Sequence, residues 1–261
     1  MTLQTLELAR RDAIATVTLN RPGVRNAFDE KMIAELTGVF QELGNDASVR
    51  VIILAAHGPA FCAGADLNWM KKVARYTHEE NVADAMRLGE MLQAVYQCPK
   101  PVVAKVQGDC YAGGMGLVAA ADIAAGADHA HFCLSEVKLG LIPAVISPYV
   151  IGAIGERMAR RYFISAERFS ARQAHHIGLL HEIAETDALD TIVDGIAASL
   201  AAASPNAVRE AKKLVRDVAC APLTQTMIAN TAERIAALRA SADGREGIQA
   251  FLEKRPPQWK T

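Results

Sequence analysis

Cysteine is sparse and scattered in this 261-residue chain: Cys62, Cys98, Cys110, Cys133 and Cys220, an odd number with no CxxC pair. That excludes a disulfide framework and reads as structural thiols in a reducing compartment. Neither sign of charge prevails, with 28 Lys and Arg against 29 Asp and Glu and a net charge of −1. No basic stripe or polybasic tail therefore offers a surface to nucleic acid or to a membrane. Long hydrophobic runs are missing as well. The longest, from Gly113 to Ala127, is cut by Asp122 and is too short to span a bilayer. The opening "MTLQTLELARRD" has no apolar leader core, so the expected location is cytoplasmic.

Several chemistries are absent by motif. There is no GxxxxGK[ST] phosphate loop and no GxSxG elbow of a serine hydrolase. Neither His129-x-His131 nor His175-His176 has a cysteine or carboxylate at metal-ligand spacing, so no metal site is expected. Gly114-x-Gly116-x-x-Ala119 formally matches the dinucleotide fingerprint, with Glu136 twenty residues on. The match fails on context, because Gly113 comes five positions after Gly108 and a further strand, "IAAGA", precedes the acidic residue. Cys110 beside this turn has no neighbour in sequence that would depress its pKa, and a small buried thiol is the better reading.

Half the residues are hydrophobic, enough for one large core. "TLQTLEL" and "IATVTLN", flanking "ARRDA", alternate like a hairpin. "FDEKMIAELTGVFQELGND" is apolar at helical spacing, with Asp29 or a neighbour at its start and Gly44 at its end. "VRVIILAA" and "PVVAKVQG" are continuous apolar runs of the kind buried in parallel sheets. The loop "HGPAFCAGADLN" leads from the first to a helix over about 78–97. "IAAGA" and "HFCLS" fit short strands, and from about Pro148 helices dominate. The class is α/β with a helical C-terminal part, without repeats.

Two turns rich in small residues, "FCAGAD" and "YAGGMG", each follow a strand. Parallel strands end on one side of their sheet, so the turns can meet there. Two backbone N–H groups aimed at one point would form an oxyanion hole, and a helix starting near Gly114 would add its positive end. The spacing equally fits two tight turns that need glycine for conformation alone.

"FCAGADLNWM", "PVVAKVQGDCYAGGMGLVAAADI" and "HFCLSEVKLGLIP", in this order, resemble the crotonase (enoyl-CoA hydratase/isomerase) family. "RPGVRNAF", "SARQAHHIGLLHEI" and "FLEKRPPQW" extend the resemblance over essentially the whole chain. It implies a ClpP-like spiral of ββα units over 1–200, carrying the acyl-CoA site. Residues 201–261 would form a helical region for trimerisation and for covering CoA. It also implies homotrimers or dimers of trimers, thioester substrates of fatty acid metabolism or leucine degradation, and no cofactor other than the substrate's own coenzyme A. By position, Ala65 and Gly113 would supply the two N–H donors to the thioester oxygen. Ala63, Ala65, Asp66 and Leu67 would line the adenine and pantetheine path, with Arg25 near the nucleotide. Phe251 and Lys254 match C-terminal residues that approach CoA.

Family hydratases use two glutamates, one three residues beyond the oxyanion glycine and one before "LGLIP". The second is present as Glu136, and the first position is Gly116. A glutamate reinstated at 116 would stand opposite Glu136. A single carboxylate suits a 1,3 proton shuttle, the Δ3-to-Δ2 isomerase pattern. Yet "SEVKLGLIPAVISPYVIGAIGERMARRYF" resembles the bacterial methylglutaconyl-CoA hydratase subgroup, which favours hydration of a 2-enoyl-CoA, with a branched acyl group, through Glu136. A non-catalytic acyl-CoA or RNA binding module is the third reading, and this near-neutral chain has no basic stripe for RNA.

Overall fold

A computed structural model describes residues 3–260. Strands β1 (Leu6–Arg11) and β2 (Ile14–Leu19) form the expected hairpin, antiparallel from Leu6↔Leu19 to Arg11↔Ile14. "ARRDA" is not its connection: Ala9, Arg10 and Arg11 pair within the ladder, and only Asp12 and Ala13 turn. Asp12 takes φ 53°, the left-handed conformation that two-residue hairpin turns demand and that aspartate tolerates.

The main sheet runs β1-β2-β3-β5-β7-β10, where β3 is Val51–Ala56, β5 Val102–Val106, β7 Ile123–Ala127 and β10 Glu182–Ala184. Every pairing from β2 onward is parallel. All six residues of β3 are buried, because both faces of the sheet are covered. Val51, Ile53 and Ala55 meet Leu189, Val193 and Ala197 of α7 (Thr186–Ala201). Ile52 and Leu54, pointing the other way, join the larger core with α1 (Glu30–Asn45) and α3 (His78–Gln97).

A second sheet, β4-β6-β8-β9, consists of Ala60–Cys62, Asp109–Tyr111, His131–Cys133 and Phe169–Ser170. Long strand, short strand and helix thus recur: β3–β4 then α2 (Leu67–Val73) and α3, β5–β6 then α4 (Gly113–Ala120), and β7–β8 then α5 (Ser147–Ser165). This is the ββα spiral the resemblance implies. Sequence periodicity identifies β3, β5, β7 and β8 but reads 57–68 as a loop, although it holds β4 and the start of α2.

Helix α1 is capped by the Asp29 carboxylate, which accepts the Met32 N–H at 2.8 Å. It ends at Asn45, one residue past Gly44, where a Cβ would stand a tight 3.1 Å from Cδ of Pro99.

After α6 (Ala171–His176) and α7 the chain ends in α8 (Pro205–Val218), α9 (Gln225–Ala240) and α10 (Ala242–Leu252). Lys212 of α8 anchors this region, donating to Asp122 Oδ2 at 2.6 Å and to the Lys100 carbonyl at 3.0 Å. Arg50 reaches the carbonyls of Ala201 and Trp259. Among the described residues no helix is long and apolar enough to cross a membrane.

Candidate active site

Strands β4 and β6 pair in parallel, so the turns that follow them lie side by side. Gly64, at φ 90°, has no room for a side chain: a Cβ would come to 3.0 Å from Cβ of Ala112 and 3.4 Å from the Tyr111 carbonyl. Three backbone bonds tie the first turn to the preceding loop. Ala63 N–H donates to the Arg25 carbonyl at 3.0 Å, Phe28 N–H to Gly64 at 2.7 Å, and Asp66 N–H to Phe28 at 2.8 Å. Between these bonds Ala65 is exposed, and its N–H has no backbone partner among the described residues.

The second turn places Ala112 at φ 46° and ψ −120°, a region sparsely populated by residues with a side chain. Its N–H donates to the Cys133 carbonyl at 2.9 Å, and α4 begins at the next residue. Gly113 and Gly114 hold two of the orphan N–H groups of that first turn, neither with a backbone partner among the described residues. A Cβ on Gly113 would strike the ring of Phe28, at 2.9 Å and 3.1 Å. Two unengaged N–H groups on adjoining turns, at the positive end of α4, can hold a carbonyl oxygen as negative charge develops on it.

Glu136 opens the 3-10 turn Glu136–Leu139. Its Oε2 is buried without a hydrogen-bond partner, one of only two such side-chain atoms among the described residues, the other being Gln107 Oε1. Burial pushes its carboxyl above the ordinary value, against a small opposite pull from its own backbone N–H. A half-buried acid whose buried oxygen is unclaimed is equipped to take up and return a proton.

Gly116 is not merely empty. A Cβ there would lie 2.4 Å from Cγ2 of Ile146, 3.0 Å from its Cβ and 3.4 Å from Leu92 Cδ2. A glutamate therefore does not fit at 116 as the chain stands, which corrects the expectation that one could simply be reinstated.

Asp66 is buried with both oxygens engaged. Oδ1 caps α2 by accepting the N–H of Asn68 at 2.7 Å, and Oδ2 accepts from Arg21 at 2.9 Å. Burial raises its pKa, but those bonds and the Arg21 charge hold it below the usual value. Its side chain thus braces the turn. Arg25, Leu67, Phe251 and Lys254 are all exposed, Leu67 and Phe251 by 74% and 82%. No hydrogen bond or ion pair joins Phe251 or Lys254 to the two turns among the described residues.

Three residues escaped the sequence reading. Arg21 ties Asp66, Asp29 and the Ala27 carbonyl together. Asn26, fully buried, accepts from Arg21 N–H and donates to the carbonyls of His57 and Ala60. Phe28 covers Gly113. Their only trace in the sequence is the block "RPGVRNAF". The thiols nearby are inert: burial pushes Cys62 up to about 12 and Cys110 well above its usual value.

The enoyl-CoA hydratase/isomerase family model matches residues 9–261. The chain is 31% identical over 258 residues to the 2,3-dehydroadipyl-CoA hydratase of Escherichia coli, covering 98% of each. It is 32% identical over 255 residues to a mevalonyl-coenzyme A hydratase of Aspergillus fumigatus, covering 95% of this chain and 91% of that one. A crystal structure of an enoyl-CoA hydratase from Shewanella pealeana superposes with TM-score 0.96 at 42% identity, over 98% of this chain and 96% of the other. With its ββα spiral, its paired turns and these relatives, the chain belongs to the enoyl-CoA hydratase/isomerase family of enzymes.

Proposed function

We propose that the protein hydrates a 2-enoyl-CoA thioester, with Ala65 and Gly113 as the oxyanion hole and Glu136 as the only acid/base. The observation that carries this reading is the buried, unpartnered Oε2 of Glu136. The thioester oxygen accepts from the two N–H groups, so charge builds on it as an enolate; a donor of this kind is worth about 3–4 kcal/mol. The Glu136 carboxylate takes a proton from water while that oxygen attacks C3, and the pair of electrons of the double bond moves onto the thioester. The enolate then collapses, and C2 takes the proton back from Glu136. Water is added and the glutamate is restored.

Leu67, exposed beside Ala65, offers an apolar rest for the pantetheine arm, with Ala63 and the braced Asp66 turn beneath it. Arg25, Phe251 and Lys254 are the proposed contacts for the rest of CoA, the latter two reaching a site across a homotrimer or a dimer of trimers. Coenzyme A enters only as part of the substrate, with no metal or other cofactor. The relatives are named for a dehydroadipyl and a mevalonyl group, so their names do not fix the acyl group here. A branched acyl group of the 3-methylglutaconyl type is the finer reading.

The same carboxylate supports a second reaction. Moving a proton from C2 to C4 of a 3-enoyl-CoA needs one base and the same hole, which is the isomerase reading. Incubation with matched 2-enoyl-CoA and 3-enoyl-CoA thioesters, followed by product identification, separates the two. A 3-hydroxyacyl-CoA from the 2-enoyl ester supports hydration. Conversion of the 3-enoyl ester alone supports isomerisation and defeats the proposal.

A further inference from the structure

Helix side chains lean toward the N-terminus and cover the turn before their own Cα. A side chain at 116 would therefore lie over the turn that contains Gly113, beside the proposed hole. Ile146 fills that volume from another part of the chain, its Cγ2 only 2.4 Å from where a Cβ of residue 116 would stand. The neighbouring Val145 packs more loosely over Gly89 of α3, its Cγ1 at an ordinary contact distance of 3.7 Å from the place of a Cβ there. Two adjacent β-branched residues thus rest on one glycine from each of two helices. The link back to Glu136 is short and tied: Leu141 N–H donates to the Glu136 carbonyl, and Ser147 N–H to that of Ala144.

We infer that Ile146, seated on Gly116, is a specificity-determining residue that makes the wall beside the reacting carbons apolar and selects a branch at C3. The inference rests on the proposed function and names the residue behind its acyl preference. With the thioester oxygen at the hole, C3 is two bonds from the carbonyl carbon, and Gly116 is ~4.5 Å along α4 from Gly113. A substituent on C3 therefore falls within reach of this wall. Ile146, only 3% exposed, shows little of its own surface to the site but fills the place of a polar side chain at 116, so the wall it backs tolerates an alkyl branch and offers water no hydrogen bond. Water activation is left to the Glu136 side.

The test uses two saturated thioesters that cannot be hydrated, isovaleryl-CoA and butyryl-CoA, which differ by the methyl at C3. The wild-type protein is expected to bind isovaleryl-CoA roughly four- to tenfold more tightly, the worth of one buried methyl group. Ile146→Ala should bring the ratio close to one. Melting temperatures supply a second measurement: Gly116→Ala should lower Tm in the wild type and have little effect in Ile146→Ala, where Cγ2 is gone. An unchanged binding ratio in Ile146→Ala, equal Gly116→Ala penalties in both backgrounds, or no binding of either ester overturns the inference. A protein that shows the expected ratio and coupling yet hydrates no 2-enoyl-CoA would sink the proposed reaction and leave the role of Ile146 standing.

Discussion

The proposed oxyanion side of the site is made of backbone, whereas the acid/base side depends on two side chains, Glu136 and Ile146. On the first side almost every polar group is claimed. Ala63, Phe28, Asp66 and Ala112 donate to carbonyls, the Asp66 carboxylate is held by Arg21, and among the described residues the N–H groups of Ala65, Gly113 and Gly114 are left over. On the second side the polar group is the one that is not claimed, Oε2 of Glu136. A backbone site is sensitive to any added side chain and indifferent to charge. A side-chain site is sensitive to a single isosteric change and to pH. Substitutions that respect this division should separate binding from chemistry.

Glu136→Gln should have the largest effect. It keeps the shape of the side chain and removes its proton exchange, so kcat should fall by about 10² to 10⁴-fold. The affinity for an unreactive acyl-CoA should change far less, because the lost interaction belongs to the transition state. Full turnover in Glu136→Gln would end the single-carboxylate mechanism.

Gly113→Val tests the backbone side. Its Cβ would meet the Phe28 ring at 2.9 Å, so either the ring or the start of α4 must shift, and the Gly113 N–H moves with it. Loss of one such donor lowers kcat by roughly 10² to 10³-fold. Adding Phe28→Leu should recover part of that loss by giving the new side chain space. A folded Gly113→Val protein with unchanged kcat would remove Gly113 from the hole.

The two sides also differed in how legible they were in the sequence. The turns "FCAGAD" and "YAGGMG" point to a backbone site, although tight turns that need glycine for conformation alone share their pattern. Their pairing through β4 and β6 was hidden, since three-residue strands are too short to show a period. Glu136 was found only through the resemblance, as one glutamate among many. What marks it physically is burial without a partner, a tertiary fact. Ile146 lies thirty residues from Gly116 in the chain, and "PAVISPYV" gave no hint that the two share one volume. The hairpin turn is shorter than the pattern suggests for a related reason: Asp12 adopts a left-handed conformation that no pattern of apolar residues reports.

The smallest expected effect concerns stability, and it sharpens the contrast because Glu136 titrates whereas the N–H groups proposed for the hole do not. Burial raises the Glu136 carboxyl in the folded protein above its ordinary value of 4.5. Below about pH 4.5 the group is protonated in both folded and unfolded chains and adds no pH dependence. As pH rises past that value the unfolded chain gives up its proton first, while the native carboxyl retains it. The native state then binds more protons than the unfolded one, so stability declines with rising pH until the folded carboxyl ionises too. Glu136→Gln cannot titrate and should escape this decline. Urea midpoints taken through the acid range should therefore show the wild type losing ground to Glu136→Gln as pH is raised from about 4.5, and holding a constant difference once the native carboxyl is charged. The same ionisation starts catalysis, so the acid limb of kcat/KM should lie above 4.5 in the wild type. Parallel curves for the two proteins at every pH would mean that Glu136 is solvated in the native state, and the acid/base side would lose the property that sets it apart.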